Sequence, residues 1–375
     1  MGFLAILCWF ACSCSVVSTV DVERLKLQDV RVSIGYQKTL DQAYNKFVLW
    51  STVHCRPLPH TLPEQLTTLN EQLVDYIQFL FEENNGVAAG RHAILCMQNR
   101  FHLCRSQLKR SWNSVKSWEM IRPVNLRTPM PPLILECMFT CAMYLGFTAT
   151  SSRWARDWIS FGVGLIVSYE GLLRPGEWCF LNSDCICLPT SQLHGLTKTG
   201  LIRIRNGKNR RVFGREQISI VESPRALAWL DWLTKDMPKS CRLSPGGTAR
   251  FRELFKQLVK LLRLDGLKLT PASLRAGGAT AKFNEGMDLG KLQYRGRWSA
   301  LSTLQHYIQE ATASLVLLNL EKKIVDEIIS IEGLSHKFES PPSTAWASFF
   351  DRDTQRDVPQ WSSRRLRKRL PLRSR

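Results

Sequence analysis

The chain has 375 residues, 44% hydrophobic and 22% charged, which is enough for two ordinary domains with a core each and is neither fibrous nor low in complexity. Its 51 Lys and Arg against 32 Asp and Glu leave a net charge of +19, a field that favours a polyanionic partner such as nucleic acid or an acidic membrane face. Seven of those cations (Arg364, Arg365, Arg367, Lys368, Arg369, Arg373, Arg375) lie in the last fifteen residues, where there is no acid, yet the rest of the chain remains basic without them.

The first twenty residues, MGFLAILCWFACSCSVVSTV, are apolar but lack a basic start and an A-x-A cleavage site, so secretion is not expected and residues 1–35 are left as a leader of open status. From residue 36 to 122 the pattern is helical. Leu66, Leu69, Leu73, Ile77 and Leu80 recur at three and four, after a helix start at Thr61, Pro63 and Glu64. A further helical stretch, GRHAILCMQNRFHLCRSQLKRSWNSVKSW, interleaves Arg91, Arg100, Arg105, Lys109, Arg110 and Lys116 with apolar residues, so that one face buries while the other meets phosphates. Taken alone, it reads equally well as a solvated basic helix.

The run RPVNLRTPMPP holds four prolines in eleven residues and neither helix nor central strand passes through it, which makes 123–132 a linker. A second domain follows at 133–320. Helices are expected around Leu133 to Phe147 and Trp154 to Leu173, then short β-prone runs (EWCFL, CICL, LIRIR, RRVFG, QISIV). Helix returns in SPRALAWLDWL, TARFRELFKQLVKLLRL, TPASLRAGGATAKFNEG and ALSTLQHYIQEATASLVLLNL. The fold class is therefore mainly α with a small antiparallel β-sheet (α+β), and 321–375 reads as a basic, largely disordered tail. The stretch from Ile159 to Leu173 is short and carries Glu170, so no membrane span is expected. Twelve cysteines scattered through stretches such as LILECMFTCAMYLGF read as reduced core thiols, and with no CxxC pair or Cys/His cluster at zinc spacing no metal or other cofactor is expected.

Five positions of the second domain stand out together: Arg174 in GLLRPGE, Lys198 in LTKTG, Arg275 in TPASLRAGGAT, Trp298 in RGRW and Tyr307 in STLQHYIQ. A phosphodiester is a poor, anionic electrophile whose transition state spreads extra charge over its non-bridging oxygens. Forked guanidiniums clamp those oxygens with paired hydrogen bonds, which suits Arg174 and Arg275. A lysine on a turn can protonate the leaving 5′-oxygen, and a tyrosine can attack to give a phosphotyrosine that conserves the bond energy without metal or ATP. Ser302 with Gln305 forms a capping-box pattern for the helix of Tyr307, and Thr270-Pro271 an N-cap with proline at N1 ahead of Arg275. Singly, each residue has an ordinary reading: Tyr307 lies in register with Leu301, Leu304 and Ala311 as a core tyrosine would, lone arginines are usually surface ion pairs, and Lys208 in RNGKNRR competes with Lys198.

Their order and spacing carry more. Arg174 to Lys198 is 24 positions, Arg275 to Trp298 is 23 and Trp298 to Tyr307 is 9. Residues 133 to about 315 resemble the catalytic domain of tyrosine recombinases and phage-type integrases, whose motif runs Arg, Lys, His-x-x-Arg, His or Trp, Tyr. LTKTG is similar to the lysine turn of some members, which favours Lys198, and SLRAGGAT and RGRW also resemble recombinases of DIRS-type eukaryotic retroelements. The resemblance implies a helical core-binding domain at 36–122 that closes a clamp on double-stranded DNA, self-association on DNA and strand cleavage by Tyr307. It implies nuclear residence in a eukaryote and cytoplasmic residence otherwise. One position departs: the family's first histidine is Ala272, which neither accepts a proton nor bonds a phosphate oxygen. The alternatives are a DNA-binding relic without turnover and a type IB topoisomerase, which shares the chemistry without a defined site.

Overall fold

The computed structural model describes residues 32, 34–56, 65–101, 104–123, 128–189, 197–205, 207–208, 210–214, 216–235, 237–309 and 315–343. The apolar start, the helix start at Thr61, the middle of the proline-rich linker, Ala311 and the basic end fall outside them. The chain divides into two compact units, Met1–Asn125 and Leu126–Arg375.

The first unit is built from α1 (Ile34–Val53), α2 (Leu66–Glu82), α3 (Val87–Arg100) and α4 (Lys109–Ile121). The apolar stripe of α2 does what its spacing predicts: Leu69, Leu73, Ile77 and Leu80 are buried against Phe47 and Trp50 of α1, Ile94 and Met97 of α3, and Val115 and Trp118 of α4. Each fully buried side chain of this kind contributes about 1.5–3 kcal/mol. The single basic helix expected from Gly90 to Trp118 is instead two. Phe101 is extended at φ −121° and ψ 101°, Ser106 is left-handed at φ 65°, and the intervening Cys104 and Leu108 turn into the core. Burying those two side chains takes precedence over continuing the helix.

In the second unit α5 (Pro132–Thr148) and α6 (Ser152–Glu170) are buried along most of their length and meet closely at Gly146, where a Cβ would clash with Ile159. Next come α7 (Pro175–Cys179), β1 (Ile186–Cys187), β2 (Gly200–Ile204), α8 (Arg210–Phe213) and β3 (Gln217–Val221). The strands form an antiparallel sheet in the order β1-β2-β3, with Ile186 opposite Ile202 and Ile202 opposite Ser219. The expected strands EWCFL and RRVFG are corrected: most of the first is α7 and the second is α8. Pro175 at the first helical position and Glu177 at the third, whose carboxylate accepts the Arg174 backbone N–H at 2.8 Å, start a helix despite the β-prone aromatics.

The remaining helices are α9 (Pro224–Thr234), capped by the Ser223 hydroxyl, α10 (Gly247–Leu261), α11 (Ser273–Asn284), α12 (Leu289–Gly296) and α13 (Leu301–Gln305), followed by α14 (Lys322–Glu332). The expectation of a disordered tail from 321 is corrected for its described part. Ile324 and Ile328 of α14 are buried, and Phe338 stacks on Phe147 with ring centroids 6.0 Å apart while its carbonyl accepts the Trp229 indole N–H at 2.9 Å. The Ile324, Ile328, Ile331 spacing is helical, and the serines and prolines that suggested disorder begin beyond it. Among the described residues no helix is long and apolar enough to cross a membrane.

Candidate active site

The segment TPASLRAGGAT places the first element. Helix α11 begins two residues later than Thr270-Pro271 predicts, with Ala272 at its N-cap and the Ser273 hydroxyl accepting the Thr270 N–H at 3.1 Å. Arg275 therefore sits in the first turn. The two glycines after it let α11 press against its neighbours: a Cβ at Gly277 would collide with the Met130 carbonyl oxygen, and one at Gly278 with that of Tyr169. Arg275 is driven inward to 2% exposure, where its two Nη atoms donate to the carbonyls of Leu172 and Gly296 and its Nε has no partner among the described residues.

The strip RGRWSALSTLQHY covers that guanidinium. Trp298, 2% exposed, lies with its ring centroid 4.3 Å from the Arg275 Cζ, and the Tyr307 ring lies 5.8 Å from it; the two rings are 5.2 Å apart. Trp298 packs so closely over Gly296 that a Cβ there would overlap the indole. A small apolar cluster of Leu172, Ala279, Leu292, Trp298 and Leu304 holds Tyr307 at its edge, and the Thr280 hydroxyl donates to the Tyr307 carbonyl at 3.1 Å. The long helix expected to carry Tyr307 is not formed: α13 ends at Gln305, its N-cap is Ala300 without a side-chain bond, and Tyr307 lies in the turn just beyond. The capping box of Ser302 and Gln305 is corrected accordingly. Leu304, the penultimate residue of α13, is buried and its carbonyl accepts the Tyr307 N–H at 2.7 Å, so its packing sets the position of the tyrosine.

Arg174 approaches from α7. Its Nη1 donates to Glu177 Oε1 at 2.5 Å, and its side chain keeps 23% exposure. The other carboxylate oxygen accepts from Nη2 of Arg297 at 2.8 Å, and Arg297 is 3% exposed. Three guanidiniums thus surround one carboxylate. Burial pushes the Glu177 carboxyl up, but Arg297, Arg174 and Arg275 outweigh it and hold the group below its ordinary value. Burial, and after it the charges of Arg174 and Arg297, pull the Arg275 guanidinium below its ordinary value. A cation held at such a disadvantage, with no carboxylate bonded to it among the described residues, is a site that an anion relieves.

The structure therefore brings together Arg174, Arg275, Trp298 and Tyr307, and it adds Glu177 and Arg297, which sequence reasoning missed. The R-x-x-E spacing of RPGE was the available signal for Glu177. Lys198 is not in this group. It is exposed in the bend before β2, whereas Lys208 lies past the other end of that strand, a separation on the order of 16 Å for five extended residues. Lys208 lines a cavity of about 510 Å3 together with Arg174, Glu177, Phe180, Arg203 and Arg205. Neither Lys198 nor any of Arg275, Trp298 and Tyr307 is on that lining.

In the first unit, the six basic residues split into two groups. Arg91 bonds Glu119 at 2.6 Å, Arg100 approaches Asp41 at 3.5 Å and lies over the Tyr44 ring, and Arg110 bonds Glu71 at 3.1 Å. Arg105, Lys109 and Lys116 are exposed and have no ion pair among the described residues. No group of His, Cys, Asp and Glu among the described residues has the arrangement to hold a metal.

The chain matches no protein-family model and no curated protein. Among solved structures it is similar to the XerH site-specific recombinase bound to palindromic difH substrate in a post-cleavage complex, at 13% identity, with 77% of this chain and 76% of that one covered and a TM-score of 0.45. It is also similar to a lambda integrase dimer bound to a COC′ core site, at 13% identity, with 74% and 76% covered and a TM-score of 0.43. A third likeness is to XerA recombinase, at 17% identity, with 78% and 98% covered and a TM-score of 0.34.

Proposed function

We propose that the chain cleaves and rejoins DNA strands through a covalent phosphotyrosine, with Tyr307 as the nucleophile and with Arg174 and Arg275 as the phosphate clamp. The observation that carries this reading is the burial of Arg275, without a bonded carboxylate among the described residues, directly beneath the Trp298 and Tyr307 rings. A scissile phosphate seated there meets two arginines and the phenol together. The Tyr307 phenol gives up its proton to water as its oxygen attacks phosphorus, the bond to the 5′-oxygen breaks, and the departing oxygen takes a proton from a lysine. Lys208 suits that role better than Lys198, because it shares a cavity with Arg174. The phosphotyrosine bond conserves the energy of the phosphodiester, so a 5′-hydroxyl of the same or another strand reverses the step; the chemistry as written draws on neither metal nor ATP. Arg105, Lys109 and Lys116 supply charge for the duplex backbone, while Arg91, Arg100 and Arg110 exchange their acids for phosphates on binding. Strand exchange requires more than one copy on the DNA.

Ala272 favours a second reading. It stands at the N-cap of α11 three residues before Arg275, and an acid/base group missing there costs about 10² to 10⁴ in rate, enough to leave a DNA-binding protein without useful turnover. Incubation with nicked, radiolabelled duplex from the DNA flanking its own coding sequence separates the two. A covalent adduct on a denaturing gel supports the enzyme, whereas firm DNA binding with an adduct only in Ala272→His supports the second reading.

A further inference from the structure

We propose that Arg297 is a positioning residue of this site: by taking one oxygen of Glu177 it divides that carboxylate between two arginines, so that Arg174 is aimed without being neutralised and the cluster keeps a surplus of positive charge for a phosphate. This rests on the phosphate-site reading above and extends it to a residue of RGRW that the five singled-out positions did not include.

The backbone argues first. Arg297 closes α12 in the left-handed region at φ 57° and ψ 45°, a conformation that glycine adopts freely and that a Cβ disfavours. Arginine at that position has to be explained by its side chain. That side chain runs inward to 3% exposure, and its Nη2 donates both to Glu177 Oε2 at 2.8 Å and to the Leu172 carbonyl at 3.2 Å. The same Leu172 carbonyl accepts from Arg275, and Leu172 is itself left-handed at φ 50°. A continuous set of bonds therefore links Arg275, Leu172, Arg297, Glu177 and Arg174.

Charge argues second. With Arg174 alone, Glu177 would form a closed pair of zero net charge. Sharing it with Arg297, and facing Arg275 from α11, leaves three guanidiniums to one carboxylate. The charged side chains that line the cavity beside them, Arg203, Arg205 and Lys208, are basic as well, with Arg205 paired to Asp184 at 2.7 Å. Arg297 also holds Glu177 ionised, since burial alone would favour its protonated form.

Arg297→Gly is the direct test, because it removes the guanidinium while easing the backbone; Arg297→Gln, which keeps a donor for Glu177 without the charge, is read in the same way if the glycine variant does not fold. Arg297→Lys restores a charge without the fork. The full-length protein is titrated with orthovanadate, followed by thermal unfolding, and in parallel the rate of covalent adduct formation on nicked duplex is measured between pH 5 and 9. The expected result for Arg297→Gly is a loss of about tenfold or more in vanadate affinity and in adduct rate, with duplex binding nearly unchanged, since misaiming one clamp residue costs that much. The acid limb of the pH profile should move upward, and Arg297→Lys should recover part of the loss. Wild-type vanadate affinity, adduct rate and acid limb in Arg297→Gly would overturn the proposal. If the wild type binds vanadate and Arg297→Gly does not, yet neither forms an adduct, the positioning role stands and the covalent chemistry fails. If the wild type does neither, both fall.

Discussion

Replacing Glu177 by glutamine removes the carboxylate that Arg174 and Arg297 share, and its cost follows from burial. Arg297 and Arg275 are 3% and 2% exposed and the Arg174 side chain 23%, so solvent cannot take over the lost charge. Breaking a buried ion pair from one side costs about 3–5 kcal/mol. Glutamine retains an acceptor for one of the two guanidiniums, which places the expectation near the lower end, at about 3 kcal/mol. For a unit of this size that is a fall in Tm of roughly 6–12 °C. An anion seated among the arginines substitutes for the missing charge, and at a hundredfold excess over its Kd it returns about 2.7 kcal/mol to any protein it binds. At one fixed concentration the variant, whose bare guanidiniums hold the anion more tightly, gains more than the wild type. Thermal unfolding followed by circular dichroism, with and without saturating nicked duplex, gives both numbers. A Tm within about 1 °C of wild type, or a deficit that duplex leaves untouched, would refute the reasoning, since a loss of that size is what 3 kcal/mol must produce.

Acid denaturation carries the same signature: Glu177 is held below the ordinary carboxylate value of 4.5, so its contribution is fully present above that pH and lost as pH falls through the lower folded value, and the wild type and Glu177→Gln should converge in stability there, as chemical denaturation at a series of pH values can show. Lys208→Ala should slow adduct formation by about 10² to 10⁴, and Lys198→Ala by far less; equal effects, or the reverse order, would return the acid role to the bend before β2. Removing Arg105, Lys109 or Lys116 should each lower the slope of log Kd against log salt by roughly one in a duplex-binding titration, whereas Arg91→Ala and Arg110→Ala, whose cations are already paired, should change it less.

Much of the fold was legible because it rests on local periodicity and punctuation. The Leu69, Leu73, Ile77 stripe, the helix of SPRALAWLDWL and the strand of QISIV all appear where their patterns put them. What the sequence hid depends on contacts between distant segments. EWCFL has strand propensity, yet Pro175 and Glu177 start a helix, and the aromatic Trp178 is then buried beside Gly164 in α6. The basic stretch around Phe101 looks continuous because the residues that break it, Cys104 and Leu108, are apolar in either conformation. In the site, Arg174, Arg275, Trp298 and Tyr307 stood out by residue type and spacing. Lys208 gained over Lys198 only through the cavity beside Arg174, which one-dimensional spacing cannot express. Arg297 was invisible for a different reason: a left-handed φ leaves no mark on a sequence when the residue is not glycine.

The most direct test of the central claim is to find the atom that holds the DNA. Protein trapped on nicked duplex is digested with nuclease and trypsin, and the nucleotide-bearing peptide is sequenced by tandem mass spectrometry. The account predicts a single modified peptide with the nucleotide on Tyr307, absent from Tyr307→Phe, which should fold as the wild type does because the Tyr307 hydroxyl has no hydrogen-bond partner among the described residues. A nucleotide on Tyr294, on a serine or on any other side chain, or an adduct that persists in Tyr307→Phe, would contradict it.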